Sequence, residues 1–463
     1  MKGYFSIAIE TTIYSESFDI KALSMNPLAE SLNATISAEA PHLFEMLSEL
    51  GKRFYFPSKG ILSQSAEAKK KATRFNATIG TALEDGTAMH LDCLMEQLPG
   101  ISANDALLYA SSPGNQKLRE AWQAKDLKDN PDLVGKPCSL PVVTGGLSHA
   151  LSLIADLIVD PGDLFLYPDK NWGNYRLNFV ERKGAEPKFF QFFKGNGFNV
   201  EAFRQALDEC VAAGRKKIIV LLNFPNNPTG YSPTDAENCA IAQALKETAD
   251  KGVNLAVIVD DAYYGLFFKP EVTRQSLFTK LAGLHPRILA FKADAATKEV
   301  YVWGLRVGFV SFSIGGVASG SPVFEAVNSK MAGIIRSVVS NCSALSQFLV
   351  LNALKSPDFF KQRAAKAEIM RQRALKVEEA LQNPEYAQAW EVYPFNSGYF
   401  MCLKIKDVNA SDLRIHLLDN YGIGTIAIND TDLRIAFSCI EAKDVHELFR
   451  LIFQGWKDLA KQN

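Results

Sequence analysis

An α/β fold built on a mainly parallel seven-stranded sheet is predicted by three observations. Seven short apolar runs recur between residues 140 and 313, helical patterns separate them, and the runs lack polar alternation. Strands buried on both faces of a parallel sheet read this way, with crossover helices between them. After residue 345 the texture changes, and a smaller α+β unit is expected there. At 463 residues, 47% hydrophobic and 22% charged, the chain can bury a large core and should divide into two or three domains. The expected division is an N-terminal extension with part of a small domain over 1–110, a large domain over 111–345 and a C-terminal small domain over 346–463.

In chain order, the first hundred residues are mixed. A helical stretch is expected around 41–52, and a Lys-rich segment at 69–71 precedes Phe75-Asn76-Ala77-Thr78-Ile79-Gly80. The seven candidate strands follow at 140–144, 164–167, 187–191, 217–222, 254–259, 288–292 and 308–313, with helices such as 148–159 and 200–213 between them. Beyond 345 come a charged helical stretch from Phe360 and short strands near 399–405, 425–428 and 432–438. A terminal helix carries Val445, Leu448, Phe449, Ile452, Trp456 and Leu459 on one face, at spacings near 3.6 residues.

Charge and cysteine usage exclude several function classes. Lys+Arg 50 against Asp+Glu 51 leaves a net charge of -1, so no global field favours nucleic acid or an anionic membrane. Small molecules or another copy of the chain are the expected partners. The seven cysteines are widely spaced, with no C-x-x-C and no histidine at metal-ligand spacing, as in reduced, packed thiols. Met1–Glu10 has one cation, a short apolar patch and an acid, and no later stretch approaches the length of a membrane span. A cytoplasmic location is expected.

The informative residues each fall just past the carboxyl end of an expected strand, the edge where open parallel sheets bind ligands. Gly145-Gly146-Leu147-Ser148 opens a helix and could cradle a phosphate on backbone N–H groups and the helix dipole. A tight turn capped by Ser148 explains the same residues. No G-x-G-x-x-G is present, so a dinucleotide reading fails. Trp172 could stack flat on a ring, or pack in a core. Asp260 closes an apolar run and could hold a pyridine nitrogen protonated, turning the ring into an electron sink; alone, it would read as a helix cap. Asn227 and Tyr263 offer hydrogen bonds that tune such a group, although Asn before Pro is also common turn chemistry.

Lys298, with Thr297 before it and Arg306 eight positions on, supplies the amine that an aldehyde cofactor needs to be held covalently and a forked cation for its phosphate. A lone lysine would read as solvated surface. Five coherent groups arriving at one edge make the set a pyridoxal phosphate site.

This set, with Asn227-Pro228-Thr229-Gly230, Asp260-Asp261-Ala262-Tyr263 and Lys298-x7-Arg306-x-Gly308 in order, resembles the fold-type I pyridoxal phosphate enzymes of the class I and II aminotransferase family. The likeness covers roughly residues 75–460 and is nearest the aspartate and aromatic branch. It implies a three-layer sandwich and a homodimer with shared sites. It further implies Lys298 as Schiff base lysine and proton carrier, Asp260 on the ring nitrogen, Asn227 and Tyr263 on the phenolic oxygen, and Trp172 on the ring face. Arg306, Gly146, Leu147, Ser148 and a Tyr109 lent by the neighbouring subunit are implied for the phosphate. Arg434 matches the family's α-carboxylate clamp, and Arg336 the arginine that holds a side-chain carboxylate in dicarboxylate-specific relatives.

The chain departs from the closest branch at Ala295, where a serine is expected three positions before the lysine, and in the first 70 residues or so, which exceed the family core. The resemblance implies transamination between L-amino acids and 2-oxo acids, dicarboxylates first and aromatic amino acids second. A lyase or β-decarboxylase on the same fold is the alternative. A ligand-sensing regulator is a lesser one, since the first 75 residues lack a basic helix-turn-helix pattern.

Overall fold

The apolar runs become one central sheet. The structure is a computed structural model, and it describes residues 25–55 and 60–461; the Met1–Glu10 segment read above for a targeting signal lies outside them. The strands are β1 (Val142–Thr144), β2 (Leu164–Pro168), β3 (Glu186–Phe190), β4 (Lys217–Asn223), β5 (Asn254–Asp260), β6 (Ile288–Ala295) and β7 (Gly308–Ile314). They lie in the order β1-β7-β6-β5-β4-β2-β3. Pairs from β3 through β6 are parallel, whereas β7 is antiparallel to both β6 and β1.

Alternate residues of β2, β4 and β5 feed two cores. Ile219 and Leu221 of β4 enter one, and Ile218, Val220 and Leu222 enter the other, which is why no polar residue interrupts that run. On the first face pack α1 (Gln116–Asp129), through Leu118 and Trp122, and α2 (Leu147–Ile158), through Leu151 and Ile154. On the second pack α3 (Val200–Ala212), through Phe203 and Leu207, and α4 (Asp235–Asp250), through Ile241 and Leu245. This is the expected three-layer sandwich.

Past β6 the chain makes a single helical turn, α5 (Ala296–Glu299), before β7. The long helix α6 (Phe359–Ala380) then leads to a four-stranded antiparallel sheet of β8 (Trp390–Val392), β9 (Phe400–Ile405), β10 (Ile426–Ala427) and β11 (Asp432–Ala436), ordered β8-β9-β11-β10. The terminal helix α7 (Val445–Ala460) buries Val445, Leu448, Phe449, Ile452 and Trp456 as its period requires. Among the described residues, no helix is long and apolar enough to cross a membrane.

Four local readings need correction. The stretch 41–52 is two helices, Pro41–Met46 and Glu49–Arg53, because Leu47 is extended and the Ser48 side chain starts the second by accepting from Gly51 N. The strand expected at 432–438 ends at Ala436, where a 3₁₀ turn over Phe437–Cys439 takes over. β8 was not expected. β6 runs three residues past 292, with Lys292 and Asp294 inside it as a buried ion pair at 2.6 Å.

Candidate active site

The parallel strands end at one edge, and because β7 runs backwards it begins there. Gly308 lies opposite both Ala295 and Thr144, so the excursion carrying Lys298 and Arg306 between β6 and β7 stays at that edge. A cavity of about 310 Å³ opens there, lined by Leu147, Ser148, Trp172, Asn227, Asp260, Tyr263, Thr297, Lys298, Arg306 and Arg434. Ten of the expected site residues are thereby brought together.

At the centre, Asp260 is 1% exposed. Its Oδ2 accepts from Tyr175 Oη at 2.7 Å and its Oδ1 from Ala262 N at 3.0 Å. Burial pushes this carboxyl above its usual range, while the two hydrogen bonds and the Lys298 charge hold back part of the rise. Lys298 lies with Nζ 4.7 Å from the centre of the Tyr263 ring, and its carbonyl accepts from Tyr399 Oη at 3.2 Å. Burial pushes its amine down to about 8; Asp260 opposes the shift and Arg306 adds to it.

A titration follows from that value. The neutral amine is the reactive form, so in cofactor-free protein the rate at which Lys298 takes up an aldehyde label should rise with pH through about 8 and then level off. Peptide mass spectrometry of pulse-labelled protein reads this. A midpoint near that of an ordinary lysine would sink it.

One end of the cavity is cationic. Gly146 precedes α2 with φ at 83°, and no side chain caps that helix. A Cβ on Gly146 would stand 2.3 Å from Arg306 Nη2, so bare backbone lies against the guanidinium. Arg306 itself gives one hydrogen bond, from Nη1 to Trp303 O at 3.0 Å. A helix N-terminus beside a guanidinium with spare donors suits a phosphate.

Arg434 occupies the other end. It is 1% exposed, lies 4.2 Å from the centre of the Phe400 ring, and donates to Asn227 Oδ1 at 3.0 Å and Thr78 O at 2.8 Å. Its Nε is buried without a partner, and burial pushes the guanidinium down to about 10. A buried, incompletely paired arginine on a cavity wall is a ready receptor for a carboxylate.

Two expected residues stand elsewhere in this chain. Tyr109 is 92% exposed, and Arg336 is exposed with Nη1 on Ser340 Oγ at 2.5 Å. Their segments touch one another, since Ser112 Oγ donates to Ser340 O at 2.8 Å. Conversely, the cavity takes in residues that sequence reasoning missed: Tyr175, Asn223, Ile61, Ile79, Trp303 and Phe400. Tyr175 was findable, three positions after Trp172 on the same turn; Ile61 enters from a helix, Ile61–Lys71, that carries no chemical signal.

Residues 75–452 match the family model for aminotransferase class I and II. The chain is 24% identical over 375 residues to aminotransferase tdiD of Emericella nidulans, covering 76% of this chain and 80% of that protein. It is 24% identical over 310 residues to the mitochondrial aspartate aminotransferase of Schizosaccharomyces pombe, covering 65% of this chain and 67% of that one. An aminotransferase structure from Anaerococcus prevotii superposes with a TM-score of 0.77 at 24% identity, over 89% of this chain and 99% of that one; this likeness shows the fold.

Proposed function

The chain belongs to the aminotransferase class I and II family and is a pyridoxal phosphate-dependent transaminase, and we propose that its substrates are dicarboxylic amino acids such as aspartate and glutamate, with 2-oxoglutarate as acceptor. The observation that carries the amino-acid part of the reading is Arg434, buried on the cavity wall with Nε unpartnered and suited to an α-carboxylate; the dicarboxylate part rests on Arg336 as the receptor of the side-chain carboxylate and on the relatives. Relatives from several organisms are aspartate aminotransferases, which supports the substrate class.

The residues present fit the cofactor. Its phosphate would be held by Arg306 and by the start of α2, at Gly146, Leu147 and Ser148, where a Cβ would fill the cradle. Asp260 would hold the ring nitrogen, Trp172 the ring face, and Tyr263 and Asn227 the phenolic oxygen, with Thr297 closing the wall beside Lys298. Bound pyridoxal phosphate supplies an electron sink for the substrate α-carbon. Arg434 grips the α-carboxylate and so turns the α C–H toward Lys298. The Lys298 amine, neutral in part near its value of about 8, takes that proton and returns it. Ile61, Ile79 and Phe400 line the cavity with apolar surface.

We read residues 111–345 as the large domain, 346–463 as the small one, and the exposed face holding Tyr109 and Arg336 as the contact between two copies. Exposed Leu107, Leu108, Val338 and Val339 on those same segments support a homodimer. It would carry Tyr109 of one copy to the other's phosphate end and Arg336 to the side-chain carboxylate. Seven unpaired thiols suit a cytoplasmic location.

The test is absorbance of the holoprotein before and after aspartate, glutamate, phenylalanine and alanine are added separately. Aspartate and glutamate should convert the bound cofactor to its amine form. Arg434→Met should raise KM for them by about tenfold to a hundredfold, the worth of charged hydrogen bonds lost from a buried site. Conversion by phenylalanine or alanine alone would overturn the dicarboxylate reading.

A further inference from the structure

We propose that Lys170 and Asp432 are a positioning pair that fixes the Trp172 stack against the Arg434 clamp, an inference that rests on the roles read above for those two residues. Lys170 stands two positions before Trp172, on the turn after β2. Asp432 stands two positions before Arg434 on β11, and residues two apart on a strand share a face. Lys170 Nζ meets Asp432 Oδ2 at 2.6 Å, and Asp432 is wholly buried.

Polar contacts close a ring around the clamp. Arg434 Nη1 donates to Asn227 Oδ1 at 3.0 Å. The neighbouring Asn226 donates from Nδ2 to the Lys170 carbonyl at 3.1 Å, and Lys170 returns through Asp432 to the strand of Arg434. Both ends of Lys170 are therefore pinned, its carbonyl by the Asn226 loop and its amine by β11. The turn that follows is closed by Asn171 Nδ2 on the Pro168 carbonyl at 2.9 Å. Trp172 then packs edge-on against Tyr175 at 5.7 Å, the residue that holds Asp260. A shift of β11 thus moves the clamp and the stack together.

Stability alone is a poor account of this pair, because burying two charges costs nearly what their attraction returns. The Asp432 carboxylate also has neutral donors of its own, Tyr393 Oη at 3.0 Å, Asn429 Nδ2 at 3.1 Å and Thr431 Oγ1 at 3.1 Å. What Lys170 adds is a link from the seven-stranded sheet to the four-stranded one beside the cavity.

The experiment uses holoenzyme carrying Lys170→Met, Asp432→Asn, both together, or Lys170→Arg. It reads KM for the amino donor, kcat, cofactor affinity by titration, and Tm. Each single change should raise KM and weaken the cofactor by about tenfold, a typical cost of misplacing bound groups by a fraction of an ångström. The double variant should be no worse than the worse single one, and Lys170→Arg should recover most of the loss. Should Lys170→Met not fold, Asp432→Asn, nearly isosteric, carries the same test. A lower Tm with KM and cofactor affinity unchanged, or additive losses, overturns the pair. Arg434→Met beside them separates the two readings. An unchanged KM there overturns the clamp and this inference with it; a raised KM there beside an unchanged Lys170→Met overturns the pair alone.

Discussion

Lys298→Ala should abolish transamination, with turnover falling by at least about 10,000-fold, the upper range for a lost general base, and the covalent hold on the cofactor lost as well. The size of the effect follows from the lining of the cavity. Its charged side chains are Lys298, Arg306, Arg434 and Asp260. Neither arginine can replace the amine, because a guanidinium stays protonated and is neither base nor nucleophile at working pH. Folding should survive, since the Tyr399 hydroxyl holds the backbone carbonyl at position 298 rather than the side chain. Asp260 and the Arg306 end should still bind the cofactor, more weakly. Borohydride reduction followed by peptide mapping separates the cases: the wild-type protein should carry the cofactor on the peptide containing Lys298, and the variant on none. A label on another lysine, or activity within tenfold of wild type, would reject Lys298 as the reacting amine.

The reason Lys298 could be found in the sequence is that the chemistry of this edge depends on residue type and order along the chain. Asp260 and Lys298 follow buried apolar strands, and a buried strand is the easiest element to read, so their common edge came with the fold. Residues that act by where they are delivered were harder. Ile61 reaches the cavity from a helix hydrogen-bonded to the four-stranded sheet through Gln64 and Ala427, and an apolar residue on a Lys-rich helix announces nothing. Tyr175 looks like core until its hydroxyl is seen on Asp260. Tyr109 and Arg336 have the right neighbours in sequence yet lie exposed, away from this chain's own cavity. The end of β6 beyond 292 carries charge, Asp294 beside Lys292, which a strand interior accepts here because Lys292 also pairs with Asp126 and Asp261.

Gly230→Ala should cost more stability than any other single methyl placed at the site, because two penalties coincide. Gly230 has φ at 76°, where an alanine costs about 1–2 kcal/mol. The added Cβ would stand 2.0 Å from the Phe400 carbonyl oxygen and 2.9 Å from that of Ser397. Both are backbone atoms that cannot swing away, so the strand must move, for about 1–3 kcal/mol more. The Gly230 carbonyl also accepts from the amides of Asn396 and Ser397, each at 2.9 Å, so the turn and the approach to β9 shift together. Phe400 is the ring under Arg434, which gives the damage a direction. KM for the amino acid should rise by more than cofactor affinity falls, because Asp260 ends β5 and Arg306 stands on the segment before β7, both apart from the Gly230 turn. Thermal unfolding and steady-state kinetics on the same preparation measure both. An unchanged Tm would show that β9 yields freely at Phe400, and an unchanged KM would show that the clamp does not depend on the seat Gly230 provides.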